Sequence, residues 1–190
     1  HDYIRVWKLL RSTLHSVCGQ SNKNFKVIVV ANDILDDFSS DPRIINTEFI
    51  KVDFPSAVDK LPDSPSRRGR WIPIRAVRID KSSKYVIGVV HAQKYHPDYI
   101  MFFDGDDFIH RDLCDFVLGD NNECGYHIQH GYKLKGDKIQ KIDNLNKKCG
   151  TSNIISNNLL LSELSIDALT TTSTQQEIFE NNSSKFLKNR

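Results

Sequence analysis

The sequence predicts an α/β fold in which a mostly parallel sheet is flanked by helices. Strand-like and helix-like segments alternate through the first 118 residues, a pattern typical of parallel strands joined by helices. The segments 25–31 and 99–103 are continuous apolar runs, as expected of strands that are covered on both faces. Because 39% of the 190 residues are hydrophobic, the chain has enough apolar surface for the core of one domain.

The first elements follow from their hydrophobic periods. Residues 5–18 form the first predicted helix, because apolar side chains recur along one face at helical spacing. These side chains are Val6, Leu9, Leu10, Leu14, Val17 and Cys18. Residues 25–31 form the first strand, since four consecutive residues are β-branched, and residues 47–52 form a second, shorter strand. The stretch 53–70 contains three prolines and is predicted to be a long loop.

A second helix is predicted over residues 73–95, with an interruption at Ser82 and Ser83. The strand at 99–103 follows it, and a third helix is expected around residues 109–117. A parallel arrangement places a strand before its first helix, whereas this chain begins on the helix. We therefore expect the fold to be truncated at one or both ends.

The C-terminal part of the chain is predicted to be mixed. Residues 125–142 are typical of a hairpin whose turn lies at residues 135–137. Helices are predicted over residues 159–169 and 175–187, with a polar break at 170–174 between them.

The bulk composition argues against several classes of protein. A net charge of +2 gives no reason to expect a nucleic-acid partner, and no apolar run approaches the roughly 20 residues of a membrane span. A peripheral association with a membrane stays compatible with this composition. The four cysteines lack CxxC spacing, which argues against a zinc knuckle. We expect reduced thiols and a cytoplasmic protein.

Three carboxylates surround one glycine directly after the strand at 99–103. In open α/β sheets ligands bind at this end of a strand, and strand alternation would place Asp104 and Asp106 on one side. Such close carboxylates repel one another unless a cation lies between them. Mg²⁺ or Mn²⁺ would accept one or two of them and complete its shell with diphosphate oxygens and water. The alternatives are a merely solvated turn and, for Asp107, a role as the N-cap of the next helix.

Three segments carry a resemblance to a known family. The helix LLRSTLHSVCGQ is followed by the strand FKVIVVAND and later by YIMFFDGDD. With this order over residues 5–118, the chain resembles the nucleotide-diphospho-sugar glycosyltransferases of the GT-A fold, and most closely the bacterial capsule and polysaccharide transferases of the family 2 type. A later segment, residues 149–155, is similar to the acceptor-side segment of some polysaccharide transferases.

The resemblance implies which residues bind the donor. Asn32 and Asp33, at the end of the first strand, would contact the nucleobase. Asp104 would face the ribose or the metal, and Asp106 would bind the metal. Lys84 would contact the diphosphate. An ordinary turn is the alternative for Asn32 and Asp33, and a solvated helix face is the alternative for Lys84.

The resemblance also implies an organisation and a reaction. Residues 1–118 would form the nucleotide-sugar (donor) binding half, and residues 119–190 the acceptor-side half of the same single domain. An inverting hexosyltransferase would move a sugar from a UDP- or GDP-linked donor to a hydroxyl of a glycan or other acceptor, in polysaccharide or glycoconjugate synthesis. The catalytic base is not identified, because Glu163 and Asp167 lie in an ordinary amphipathic helix.

Two other interpretations stay open. The chain could be a catalytically incomplete GT-A-like binding domain, since neither a base nor a late histidine ligand is recognised. A haloacid-dehalogenase-type phosphatase also places Asp-x-Asp after an apolar strand, with the first Asp as nucleophile. Phe108 stands where that family usually has Thr or Val.

Overall fold

The computed structural model describes residues 3–35, 38, 40–56, 74–120, 122–164 and 175–178. Its helices are α1 (Tyr3–Cys18), α2 (Ile74–Ala92), α3 (Leu113–Asp120) and α4 (Asn157–Leu164). Its strands are β1 (Val27–Ala31), β2 (Thr47–Lys51), β3 (Tyr99–Met101), β4 (Gly125–His127), β5 (His130–Lys135), β6 (Lys138–Asp143) and β7 (Asn153–Ser156). Most of the predicted loop at 53–70, the polar break at 170–174 and most of the last predicted helix lie outside the described residues.

The chain divides into two compact units that alternate along the sequence. The first unit contains His1–Val27, Asp37–Thr47 and Pro97–Leu164. The second unit contains Ile28–Asp36, Glu48–His96 and Ser165–Arg190. The expected functional division into residues 1–118 and 119–190 stays a prediction.

β1 and β2 form a two-stranded sheet, which lies in the second unit apart from the first residue of each strand. Two backbone hydrogen bonds define the relative direction of the two strands. The Val27 N–H donates to the Asn46 carbonyl at the start of both strands, and the Val52 N–H donates to the Ala31 carbonyl at their ends. The starts of the two strands are therefore neighbours, and so are their ends, which makes the pair parallel, as predicted.

Helix α2 of the second unit is uninterrupted, so the predicted break at Ser82 and Ser83 is wrong. The Ser82 hydroxyl donates to the Arg78 carbonyl at 2.7 Å, and Ser83 is completely buried. A serine hydroxyl that donates to the carbonyl four residues earlier leaves the helix continuous, because that carbonyl oxygen can accept a second hydrogen bond. The core of this unit consists of Val52, Phe54, Ile87 and Ile178, with Val30, Ile50, Ile79 and Val86 packed around them.

Helix α1 of the first unit is confirmed, but its buried face is rotated from the predicted one. Leu14, Val17 and Cys18 are buried as expected, whereas Val6 and Leu9 are exposed. Trp7 is buried instead, because its ring packs against that of Phe38 with the centroids 5.0 Å apart. The partner that decides this rotation is distant along the chain, so the local period alone could not indicate it.

A three-stranded antiparallel sheet in the order β3–β7–β4 belongs to the first unit. Ile155 of β7 lies opposite Ile100 of β3 on one side and Gly125 of β4 on the other. The strand expected at 99–103 is confirmed for residues 99–101, which are half-buried rather than fully covered. The expected hairpin is also confirmed in part, since the first strand predicted for it is divided between β4 and β5.

The α/β class is confirmed, while the sheets differ from the single, mostly parallel one that was predicted. Among the described residues, β1–β2 is parallel and the other strand pairs are antiparallel, in three small sheets. The difference arises at β7, which returns late in the chain and takes the place beside β3. Such long-range pairing has no local hydrophobic signature. The GT-A fold itself stays a prediction.

Candidate functional site

The acidic turn, residues 104–107, follows β3 directly. The Asp107 N–H donates to the Asp104 carbonyl at 3.2 Å, which closes a β-turn with Gly105 and Asp106 at its corner. Asp106 is exposed, whereas Asp104 and Asp107 are half-buried. The two predicted metal ligands therefore lie on one turn, and Asp106 is more open to solvent than Asp104.

Segment 149–152, which precedes β7, holds the acidic turn from one side. The Thr151 hydroxyl accepts a hydrogen bond from the Asp104 N–H at 2.8 Å, and the Cys149 thiol donates to the Asp107 carboxylate at 3.2 Å. The antiparallel pairing of β3 and β7 explains these contacts, because the start of β7 lies beside the end of β3. The resemblance assigned this segment to the acceptor side, but only the structure shows its contact with the acidic turn.

Cys149 acts here as a protonated thiol. Burial is the largest effect and raises its pKa; the hydrogen bond to the Thr151 backbone opposes this, and the neighbouring Asp107 carboxylate raises the pKa again. A protonated thiol can donate to a carboxylate, whereas a thiolate beside Asp107 would repel it. Ser152, which is completely buried, donates to the Cys149 carbonyl at 2.7 Å and so supports the same segment.

Polar contacts fasten the segment that follows the acidic turn to the end of α1. The Ile109 N–H donates to the Ser16 hydroxyl at 3.1 Å. The Gln20 side chain donates to the His110 carbonyl at 2.8 Å and accepts from the Cys114 N–H at 2.9 Å. Gln20 is buried, so these two hydrogen bonds satisfy side-chain amide atoms that are shielded from water.

The alternative in which Asp107 is the N-cap of the next helix is wrong. Helix α3 begins only at Leu113, because residues 108–112 run along the end of α1 instead of entering a helix. The Asp112 carbonyl accepts from the Phe116 N–H at 3.1 Å, which places Asp112 at the N-terminal boundary of α3. The Asp107 carboxylate bonds to Cys149 instead.

The donor set of the acidic turn fits a divalent ion that is bound together with the phosphates of a ligand. Within the described residues, no three His, Cys, Asp or Glu side chains converge to form a metal site from the protein alone. Mg²⁺ commonly takes one or two carboxylates and completes its shell with phosphate oxygens and water. Asp104 and Asp106 provide two such carboxylates on one turn, and the metal stays a prediction.

Two of the predicted donor contacts, Asn32 and Asp33, follow β1 in the second unit. The Asn32 side-chain amide donates to the Phe54 carbonyl at 2.8 Å, which fastens the end of β1 to the chain beyond β2. The exposed Asp33 carboxylate lies 3.6 Å from the Lys51 ammonium group. These contacts fit an ordered turn, and the nucleobase role of both residues stays a prediction.

Lys84, the predicted diphosphate contact, lies on α2 of the second unit. Its ammonium group donates to the Asp80 carboxylate one helical turn earlier at 2.9 Å, and both side chains are about four-fifths buried. A phosphate at Lys84 would therefore compete with a carboxylate that already balances its charge. The diphosphate role of Lys84 stays a prediction.

A cluster that the sequence did not indicate joins β2 to the end of α2 and to the 3-10 turn, Gln93–Tyr95, that follows it. The Glu48 carboxylate accepts from the Lys94 ammonium group at 2.8 Å and from the Tyr95 hydroxyl, and it lies 2.7 Å from His91 Nε2. Lys94 and Tyr95 provide the largest effects that lower the pKa of Glu48 to about 2. The spacing of the three partners indicates one helix face, but nothing local connects that face with Glu48.

Glu48→Gln is expected to lower the free energy of unfolding by about 1 kcal/mol at neutral pH, because the ion pairs are partly exposed to water. The pKa of Glu48 is lowered from 4.5, so its stabilisation is complete above that pH and is lost as the pH falls toward 2. Urea denaturation over this pH range measures the effect. If the variant and the unaltered protein differ in free energy of unfolding by the same amount at every pH, the assigned role of Glu48 is contradicted. Glu123→Gln, at an exposed glutamate, is the control.

Comparisons with protein-family models, with curated proteins and with solved structures give no match to this chain. No helix in the described residues is long and apolar enough to cross a membrane. The acidic turn and its surroundings are therefore the basis for assigning a function.

Proposed function

We propose that this chain is a metal-dependent glycosyltransferase, which moves a sugar from a nucleotide-diphosphate donor to an acceptor hydroxyl. The contact between the acidic turn and segment 149–152 carries the proposal. In sequence, these segments resemble the metal-binding strand and the acceptor side of one enzyme family. A chance resemblance of either segment would give no reason for the two to be adjacent in space.

The three aspartates of the acidic turn have different roles in this proposal. Asp106, exposed at the corner, would offer its carboxylate to the metal. Asp104 would be the second ligand, and its backbone is held by Thr151. Asp107 has one carboxylate oxygen bonded to Cys149, which favours the other two residues as ligands. A turn held in this way is preorganised for a ligand, so little ordering is left for the binding step.

The reaction breaks the bond between the anomeric carbon and the diphosphate oxygen and forms a bond to the acceptor oxygen. The metal, when bound, would neutralise the negative charge that grows on the departing diphosphate. The acceptor hydroxyl must also lose its proton to a base. No base is assigned here: Glu163 is exposed on α4, and Asp167 lies outside the described residues.

Titration with UDP in the presence and absence of Mn²⁺, followed by calorimetry, tests the proposal. We expect binding that requires the metal and that Asp106→Ala weakens by roughly a hundred-fold, since the variant loses one of two ligands. Asp137→Ala removes an equally exposed aspartate from the β5–β6 hairpin and should bind UDP as the unaltered protein does.

The same titration with GDP determines which nucleotide is preferred. Equal UDP or GDP affinity with and without metal, and in Asp106→Ala, would refute the proposed metal site. Metal-dependent binding of nucleotide sugars without sugar transfer would instead identify a catalytically incomplete binding domain.

A further inference from the structure

The β5–β6 hairpin exposes an apolar face. Every residue from 132 to 141 is exposed, and the exposed fractions of Tyr132, Leu134 and Ile139 are 74%, 66% and 71%. The register places Leu134 directly opposite Ile139 and Tyr132 opposite Lys141. Since directly opposed residues share one face of a hairpin, the three apolar side chains lie together. A contiguous apolar face on a protein surface indicates an interaction site.

The same ten residues are strongly basic. They contain four lysines and one aspartate, a net charge of +3, whereas the whole chain has only +2. The rest of the chain therefore carries a net charge of −1. The lysines are Lys133, Lys135, Lys138 and Lys141. Within the described part of the chain, none of them forms an ion pair or a hydrogen bond with another side chain, so their charge is available to a partner.

From this combination we propose that the hairpin docks onto the surface of an anionic lipid membrane. Lys133, Lys135 and Lys138 lie on the face opposite Leu134 and Ile139. This division, with aliphatic side chains on one face and three of the four lysines on the other, is that of interfacial membrane-binding elements. Lys141 lies on the apolar face, opposite Tyr132. A two-stranded ribbon is thin, so lysines on its far face stay within the Debye length of about 10 Å from the headgroups.

Other partners fit this surface less well. A second copy of the chain would bring two hairpins of charge +3 together, and like charges oppose such association. Single-stranded nucleic acids and glycans are commonly bound by stacking on several aromatic rings, whereas this face has one aromatic residue and two aliphatic ones. The proposal does not depend on the proposed sugar transfer.

Flotation with vesicles tests the proposal. We expect the protein to float with vesicles of equal parts phosphatidylcholine and phosphatidylserine, and at least ten-fold less with phosphatidylcholine alone. Added salt should weaken the binding, because it screens the lysines. Each Lys→Gln change among the four lysines should weaken binding about five-fold. The double change of Leu134→Ser and Ile139→Ser should weaken it by at least about ten-fold.

Matched changes on α1 serve as controls. Lys8→Gln and Val6→Ser remove the same kinds of exposed side chain from another surface and should leave vesicle binding unchanged. Urea denaturation checks that each hairpin variant is folded. Unchanged binding by folded hairpin variants, or equal binding to both kinds of vesicle, would overturn the proposal. The proposal would also be overturned if the unaltered protein formed a dimer and only the Leu134→Ser and Ile139→Ser variant lost it. In that case a second copy of the chain would cover the apolar face.

Discussion

Gly125→Ala is expected to destabilise the β3–β7–β4 sheet by about 3–5 kcal/mol. Gly125 has a φ of +115°, a region that side-chain-bearing residues rarely adopt. A Cβ atom at this position would overlap the Ile154 carbonyl oxygen and lie 3.0 Å from the Ile155 Cα atom. Both atoms belong to the backbone of β7, so the clash can be relieved only by moving β4 away from its partner strand. The expected loss is a large part of the stability of a typical domain.

Urea denaturation followed by circular dichroism measures this effect. Gly119→Ala is the matched control, because a Cβ atom there meets nothing within 4 Å and the residue lies in α3. Alanine in a helix is favoured over glycine, so this control should be neutral or more stable by up to about 1 kcal/mol. Equal unfolding midpoints for the two variants would contradict the described pairing of β4 with β7.

Thr151→Val is expected to weaken both the fold and the proposed nucleotide binding. Thr151 is 5% exposed, and its hydroxyl accepts from the Asp104 N–H at 2.8 Å. Valine has nearly the same shape but no acceptor, so a shielded N–H loses this partner at a cost of about 1–3 kcal/mol in free energy of unfolding. Because the same bond holds the acidic turn, metal-dependent UDP affinity should fall roughly ten-fold.

Thr151→Ser distinguishes the effect of the Thr151 hydroxyl from that of its methyl group. Serine keeps the acceptor and loses only a buried methyl, so it should cost about 1 kcal/mol in stability and leave UDP affinity nearly unchanged. Calorimetry with UDP and Mn²⁺ and urea denaturation measure the two quantities on the same variants. If the valine and serine variants bind UDP equally well, the Thr151 hydroxyl does not position the acidic turn.

The elements that depend on local pattern were predicted well. Four β-branched residues in succession indicated β1, and helical spacing indicated α1. The predicted hairpin turn at residues 135–137 contains Gly136, whose φ is +59°. Burial was predicted less well, as the exposed Val6 of α1 shows, because it depends on packing partners. Helix α2 also showed that serine is a weak stop signal when its hydroxyl can bond within the helix, as that of Ser82 does.

Contacts between distant segments had no such signal. Glu48 lies 43 residues before His91 in the chain, although its three partners, His91 near the end of α2 and Lys94 and Tyr95 in the 3-10 turn after it, have a recognisable spacing. Three nearby partners with donors on one helix face suggest that an acceptor is needed, but they do not say where in the chain it lies. The roles of Asn32, Asp33 and Lys84 also remain predictions, since the contacts described for them, with Phe54, Lys51 and Asp80, lie within the second unit.

The sequence by itself determined that a short strand ends in a cluster of carboxylates, and it marked segment 149–155 as a separate feature. Composition and spacing were sufficient for the strand end and its turn, because both are local, whereas segment 149–155 was marked only by the family resemblance. Only the tertiary structure decided that the two features meet, with Thr151 on Asp104 and Cys149 on Asp107. The reason is the antiparallel pairing of β7 with β3, a choice of partner and register between strands that are far apart in the chain.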